Sequence, residues 1–247
     1  MPFPLPAFAD EDRCWERLGT AMRAKDLKAS LAAADAIHWP QAVRDLQTLP
    51  KGRPRRSVFR LWIGELSAPM QVEFTAHDGR GFVRPFLEGL IGRGWNPLED
   101  RAFYEAIEKM PGLLRVLAHL CNPRGLCTSQ GEGLLHLVAQ AGIGFPPKAQ
   151  WFRQALSTPT DINAQTLRGH TAFHLLWSNA ALDNTRREDL AEWNRCNRLL
   201  LSAGLDVSLQ AQNGLTGRQV FEQALSSRSA LSEFADLLRA SFERSYQ

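Results

Sequence analysis

Two histidines stand four apart in the stretch Gly169-His170-Thr171-Ala172-Phe173-His174-Leu175-Leu176-Trp177. On one helix, residues i and i+4 share a face, and imidazoles so placed could supply half of a metal site or an acid–base pair. Cys121 and Cys127 could add thiolates, but no CxxC occurs and no second ligand pair follows at a matching interval, so no metal is expected. Carboxylates cluster at Asp10-Glu11-Asp12 and at Glu188-Asp189. Both clusters open helical patterns, where negative charge is favourable against the helix dipole without any catalytic role. The chain has no P-loop, no GxSxG, no HExxH, no dinucleotide fingerprint and no kinase set. No catalytic, cofactor-binding or metal-binding residue is therefore assigned.

The most basic stretch is PKGRPRR at 50–56, with Lys51, Arg53, Arg55, Arg56 and then Arg60. Such a loop could track phosphates, which makes a nucleic-acid-associated protein the alternative reading. A phosphate-tracking surface normally recruits more than one loop, and the net charge of the 247 residues is only +3, so a solvated loop is preferred. The four cysteines at 14, 121, 127 and 196 lack the density of a disulfide framework and suit a reducing cytosol. The start, MPFPLPAFADEDR, has neither a basic nor an apolar signal region. No stretch is apolar for the roughly 18 residues of a spanning helix. A cytoplasmic location is expected, with no membrane.

The elements that would position these residues are mostly helical. Trp15, Leu18 and Met22 recur at helical spacing, and Leu27, Leu31 and Ala34 continue it, up to a break expected at Trp39-Pro40. SVFRLWIGEL and MQVEF allow two short strands, a hairpin near 57–75, or a helix for the first of them. AFYEAIEKM and GLLRVLAHL form a helix pair. Leu190, Trp193 and Leu200 mark a long amphipathic helix. LSEFADLLRASFERSYQ is a closing helix with Leu231, Phe234, Leu237 and Leu238 facing inward.

From about residue 78 the chain repeats. Asp161-Ile-Asn-Ala-Gln-Thr-Leu-Arg-Gly169 and Asp206-Val-Ser-Leu-Gln-Ala-Gln-Asn-Gly214 have the same Asp-to-Gly distance, and each runs on into x-Thr at Thr171 and Thr216. Gly131-Glu-Gly-Leu-Leu-His136 is a third copy; the glycines 131, 169 and 214 are 38 and 45 residues apart. Leu199-Leu-Leu-Ser-Ala-Gly-Leu-Asp206 closes a unit, and Leu90-Ile-Gly-Arg-Gly-Trp-Asn-Pro97 looks like another such ending.

This pattern resembles the ankyrin repeat, D-x-x-G-x-T-P-L-H-x-A-A followed by L-L-L-x-x-G-A-D, clearly over about 120–225 and weakly over 78–120. The period exceeds the family's usual length of about 33 residues. The excess is expected near GFPPKAQWF and within LDNTRREDLAEWNRCN. Ala172 and Phe173 replace the family's Pro-Leu, Gly133 replaces its Thr, and Gly217-Arg218-Gln219 replaces Pro-Leu-His in the last copy. Trp177 falls where the family has a small residue and is read as added core.

The resemblance implies an all-α fold: an ankyrin-like helical solenoid at 76–247 with a C-terminal capping helix, after an N-terminal helical region or cap at 1–75. It implies that His136 and His174 are structural, each bonding backbone of the neighbouring loop, and that His170 lies on the preceding turn rather than on the same helix. It implies a binding module without catalysis or cofactor, whose partner is another protein. The class includes inhibitors, neutralisers of the antitoxin or immunity kind, and adaptors. By position in the repeat, the partner-binding residues are Gln130 and Glu132 in the first clear copy. In the second they are Leu167, Arg168, His170, Ser178 and Asn179, and in the last Gln212, Asn213 and Leu215. An enzyme with its site in residues 1–75 is the third alternative.

Overall fold

The computed structural model describes residues 8–37, 57–60, 81–100, 102–110, 112–141, 148–178, 189–227, 231 and 235–246. The chain divides into two compact units, residues 1–116 and 117–247. Among the described residues there is no sheet, only an isolated bridge between Gln210 and Thr216.

In the first unit, α1 (Phe8–Arg23) turns back at Lys25, whose φ is 53°, into α2 (Leu27–Asp35). The Asp26 carboxylate accepts the Ala29 N–H at 2.9 Å and so caps α2. Trp15, Leu18 and Met22 are all buried, as their spacing predicts. α3 (Val83–Ile91) approaches α2 closely: a Cβ on Gly89 would stand 2.5 Å from Leu31 Cδ2. Arg93 then pairs with Asp35. α4 (Phe103–Lys109) and α5 (Leu113–Cys121) are the predicted helix pair, and the division between units falls within α5.

Val58–Arg60 are helical, so of the two alternatives for SVFRLWIGEL the helix holds at its start and the strand does not. The local reason is Asp100, a buried carboxylate that accepts the Ser57 hydroxyl and the Val58 N–H at 3.0 Å, tying off the helix start. The remainder of the hairpin suggested near 57–75 lies outside the described residues. So do Lys51, Arg53, Arg55 and Arg56.

The second unit continues with α6 (Leu134–Gln140), α7 (Lys148–Ala155), α8 (Ala172–Ser178), α9 (Leu190–Ser202), α10 (Gly217–Ser227) and α11 (Ala235–Tyr246). α6, α8 and α10 pack in sequence, and α9 packs on both α7 and α11. The spans in which extra length is expected, GFPPKAQWF and LDNTRREDLAEWNRCN, run into α7 and α9, and their first parts lie outside the described residues.

Trp177 is core. It meets Phe221 edge-on at 4.7 Å and Trp193 at 5.4 Å, and its Nε1 donates to Asn197 Oδ1 at 3.0 Å. Leu231, Leu238 and Phe242 seal the C-terminal side. Leu237 is 53% exposed and not inward, a correction to the sequence reading. On a helix, Leu238 and Phe242 share a face at i and i+4, and Leu237 is rotated about 100° from it. Phe234 lies outside the described residues.

Candidate interaction surface

Three turns of one geometry carry the candidate residues. At the first, the Thr128 N–H donates to the Glu132 carbonyl (2.9 Å) and the Gly131 N–H to the Thr128 carbonyl (2.9 Å). The second repeats this with Thr166 to His170 (2.9 Å) and Gly169 to Thr166 (2.8 Å). The third repeats it with Ala211 to Leu215 (3.0 Å) and Gly214 to Ala211 (2.9 Å). The three glycines have φ of 75°, 75° and 78°, in the left-handed region that a side chain disfavours. Gly169 is also crowded, since a Cβ there would lie 3.0 Å from Ala211 Cα.

The turns are joined in register. The Leu167 N–H donates to the Gln130 carbonyl at 2.9 Å, and the Gln212 N–H donates to the Arg168 carbonyl at 3.0 Å. These two bonds link equivalent positions of successive turns. Side chains reinforce them: Gln212 Nε2 reaches the Leu167 carbonyl (2.7 Å), and Gln165 Nε2 reaches the carbonyls of Gly169 (2.7 Å) and Gln210 (2.9 Å).

The histidines staple the same turns to the helices. His136 Nδ1 accepts the Gly133 N–H at 3.1 Å, which leaves the proton on Nε2, and Nε2 donates to the carbonyls of Ala164 (3.0 Å) and His170 (3.1 Å). His174 Nδ1 accepts the Thr171 N–H at 3.2 Å, and its Nε2 donates to the Leu215 carbonyl at 3.2 Å. Burial holds both imidazoles below their usual pKa. His174 is thus structural. His170 precedes α8, its ring centroid 6.0 Å from that of His174. In the last repeat Gln219 takes the histidine position, its Oε1 accepting the Thr216 N–H at 2.8 Å.

Of the residues singled out in the sequence, the bonds above bring together Gln130, Leu167, Arg168 and Gln212. Leu167 is 66% exposed, an apolar side chain at the tip of a turn held by backbone bonds. Asn213 is exposed, and Leu215 and His170 are half-buried. Glu132 is half-buried and engaged internally, with Gln140 Nε2 and the Thr128 hydroxyl. Ser178 is exposed at the far end of α8, about 10 Å along the helix axis from its start. Asn179 lies outside the described residues. Sequence reasoning named Gln219 only as a departure from the motif, and it missed Gln165 and also Asn163, whose Oδ1 accepts the Asp206 N–H at 2.7 Å. The signal for Gln165 was present, because Gln165 and Gln210 stand at the same distance before their glycines.

A buried cluster lies at the other end of α6 from its turn. Lys148 Nζ donates to the carbonyls of Ala139 (2.7 Å) and Ala141 at the C-terminal end of α6, and lies 5.5 Å from the centre of the Trp193 ring. Burial lowers the Lys148 pKa to about 8. The nearby Cys196 thiol is pushed up to about 12, also by burial. Among the described residues, no three His, Cys, Asp or Glu side chains gather as a metal site, and no helix is long and apolar enough to cross a membrane.

The turn ladder, the stapling histidines and the alternating helices recur within the second unit, in the order that the ankyrin resemblance of the sequence implies. No protein-family model matches the chain, and no curated protein matches its sequence. Among solved structures, the chain is similar to the ankyrin repeat domain of Bcl-3, a member of the IkappaB protein family. Identity is 18%, the TM-score is 0.37, and the match covers 85% of this chain and 97% of that one.

Proposed function

We propose that the chain is a non-catalytic protein-binding module of the cytoplasm, and that its partner docks on the row of turn tips. The observation that carries this reading is Leu167. Its side chain is exposed, while its N–H and C=O are bonded to the turns on either side. An apolar group held in place before binding loses little entropy on docking and suits an anchor for a pocket on a partner. Around it stand Gln130, Gln212 and Asn213, polar and exposed, with Arg168 as the exposed charge beside it. Glu132, His170 and Leu215 border this row, Ser178 extends the proposed site along the first helix of the repeat, and Asn179 belongs to it by its place in the sequence. A partner here is read by hydrogen bonds and a few apolar contacts rather than by charge steering. Within the class, inhibition or neutralisation of one partner, or an adaptor role, fits such a surface. The domain arrangement of the proposal is an N-terminal helical region at 1–75 and repeats at 76–247.

The test is capture of partners from nuclease-treated lysate of the native cell at physiological salt, by the parent chain and by Leu167→Asp. A stoichiometric protein retained by the parent and lost with Leu167→Asp supports the reading. Retention of the same protein by both chains overturns the site. Recovery of nucleic acid alone, when nuclease is omitted, would favour the basic loop instead.

A further inference from the structure

The ladder of turns has an open end. Both junctions share one backbone acceptor and one stapling histidine donor on the earlier repeat. At the first junction these are the Gln130 carbonyl and His136 Nε2, and at the second the Arg168 carbonyl and His174 Nε2. The third turn carries both groups, and among the described residues no fourth turn receives them. The equivalent acceptor is the Asn213 carbonyl, on an exposed residue. The equivalent donor is the side-chain amide of Gln219, whose Oε1 already caps Thr216 and whose Nε2 has no partner among the described residues. Gln219 is exposed as well. The helices at this end are closed differently. Phe242 of α11 stacks on Phe221 at 4.9 Å, and Arg218 and Arg239 pair with Glu243 and Glu222. Among the described residues, α11 covers the helix side and the turn side ends in an unfilled donor–acceptor pair.

We propose that this edge, Asn213 C=O with Gln219 Nε2, receives a turn or extended segment of a partner protein through its main chain. The incoming segment donates a backbone N–H to Asn213 as Gln212 does to Arg168, and offers a carbonyl to Gln219 as Leu215 does to His174. The recognition chemistry is that of strand addition: main-chain pairing fixes the segment, and its neighbouring side chains set selectivity. The proposal rests on the protein-binding reading above and adds to it where on the repeat array a segment attaches, and by which groups.

The test uses a cyclic peptide copying the chain's own turn, Asp161–Thr171, added to the full isotope-labelled chain. Binding is followed by the amide of Gly214, which reports the Asn213 carbonyl, and by the side-chain amide of Gln219. Saturable shifts at both, with a Kd on the order of 1 mM, are expected. Gln219→Glu keeps an oxygen for Thr216 and removes the donor, so the shifts should be lost with the melting temperature unchanged. Gln219→His rebuilds the junction as the other repeats make it, and should tighten binding several-fold. Absence of shifts at Gly214 and Gln219, or shifts untouched by Gln219→Glu, would overturn the proposal. Shifts confined to Leu167 and Arg168 would also overturn it, while leaving the tip-row reading standing. Shifts at Gly214 that grow with protein concentration without peptide would assign the edge to self-association and overturn the partner-segment assignment.

Discussion

Trp177 and Asn197 meet in the core of the second unit, with Trp177 Nε1 donating to Asn197 Oδ1 at 3.0 Å and neither side chain more than 1% exposed. A buried donor without an acceptor forfeits its hydration and gains nothing in return. Asn197→Ala should therefore cost about 3 kcal/mol, combining an orphaned indole N–H with a small cavity. Asn197→Ala on a Trp177→Phe background removes the orphan and should cost distinctly less. Urea unfolding of the four chains measures the difference, and equal costs on the two backgrounds would show that the bond is not made.

The stapling histidines predict an ordered mutant series. His174→Ala loses a cap inside its own repeat and a bond to the next, a loss of about 2–4 kcal/mol. His174→Gln keeps the cap in the way Gln219 does and should lose less. A larger loss for the glutamine variant, by urea unfolding, would contradict the assignment of Nδ1 as the acceptor.

Acid should loosen the same staples. Burial is the largest cause holding His136 and His174 below the ordinary histidine pKa. The unfolded chain then binds protons more readily than the folded one, so stability is full above the unfolded pKa of about 6.5 and falls as pH drops from there through the lowered folded values. The proton would be added at Nδ1, which faces a backbone N–H. Thermal melting from pH 8 to 5 should show a shallower decline in His136→Gln/His174→Gln than in the parent. Parallel declines would contradict the prediction.

Gly169 and Gly214 separate crowding from conformation. Both have positive φ, but a Cβ on Gly214 meets nothing within 4 Å, whereas one on Gly169 lies 3.1 Å from the Gln212 nitrogen. Gly214→Ala should cost about 1 kcal/mol from backbone conformation alone. Gly169→Ala should cost clearly more, because the neighbouring turn must move. Equal shifts in urea midpoint would mean the turns are not in register.

On α11, Leu238 is fully buried and Leu237 is 53% exposed. Leu238→Asp should unfold or aggregate the chain, and Leu237→Asp should change stability by less than about 0.5 kcal/mol. Expression, solubility and melting of the two variants decide it.

The repeats were legible because their turns demand particular residues. Gly131, Gly169 and Gly214 serve a backbone conformation, and His136 and His174 serve both a cap and a neighbour, so the types recur at fixed offsets. Leu90–Trp95 was legible for the same reason. Its closing bond, Trp95 N–H to the Leu90 carbonyl, is the one Leu205 makes to Leu200, with glycines at positive φ in both. Leu237 was misread because a pair of adjacent leucines offers two candidates for one inward position, and packing against Phe221 selects the set containing Phe242. The choice between strand and helix at Val58 stayed open in the sequence because the cap comes from Asp100, some 40 residues away, a pairing no local pattern announces. Glu132 and Ser178 were placed by their position in the repeat. Glu132 spends its carboxylate on Gln140, which the position alone does not reveal.

The most direct measurement of the central claim is amide hydrogen exchange of the full chain with and without its captured partner. The account predicts partner-dependent protection over the turn tips, at Gln130–Glu132, Leu167–His170 and Gln212–Leu215. Protection confined to residues before 117, with the three tips unchanged, would contradict it.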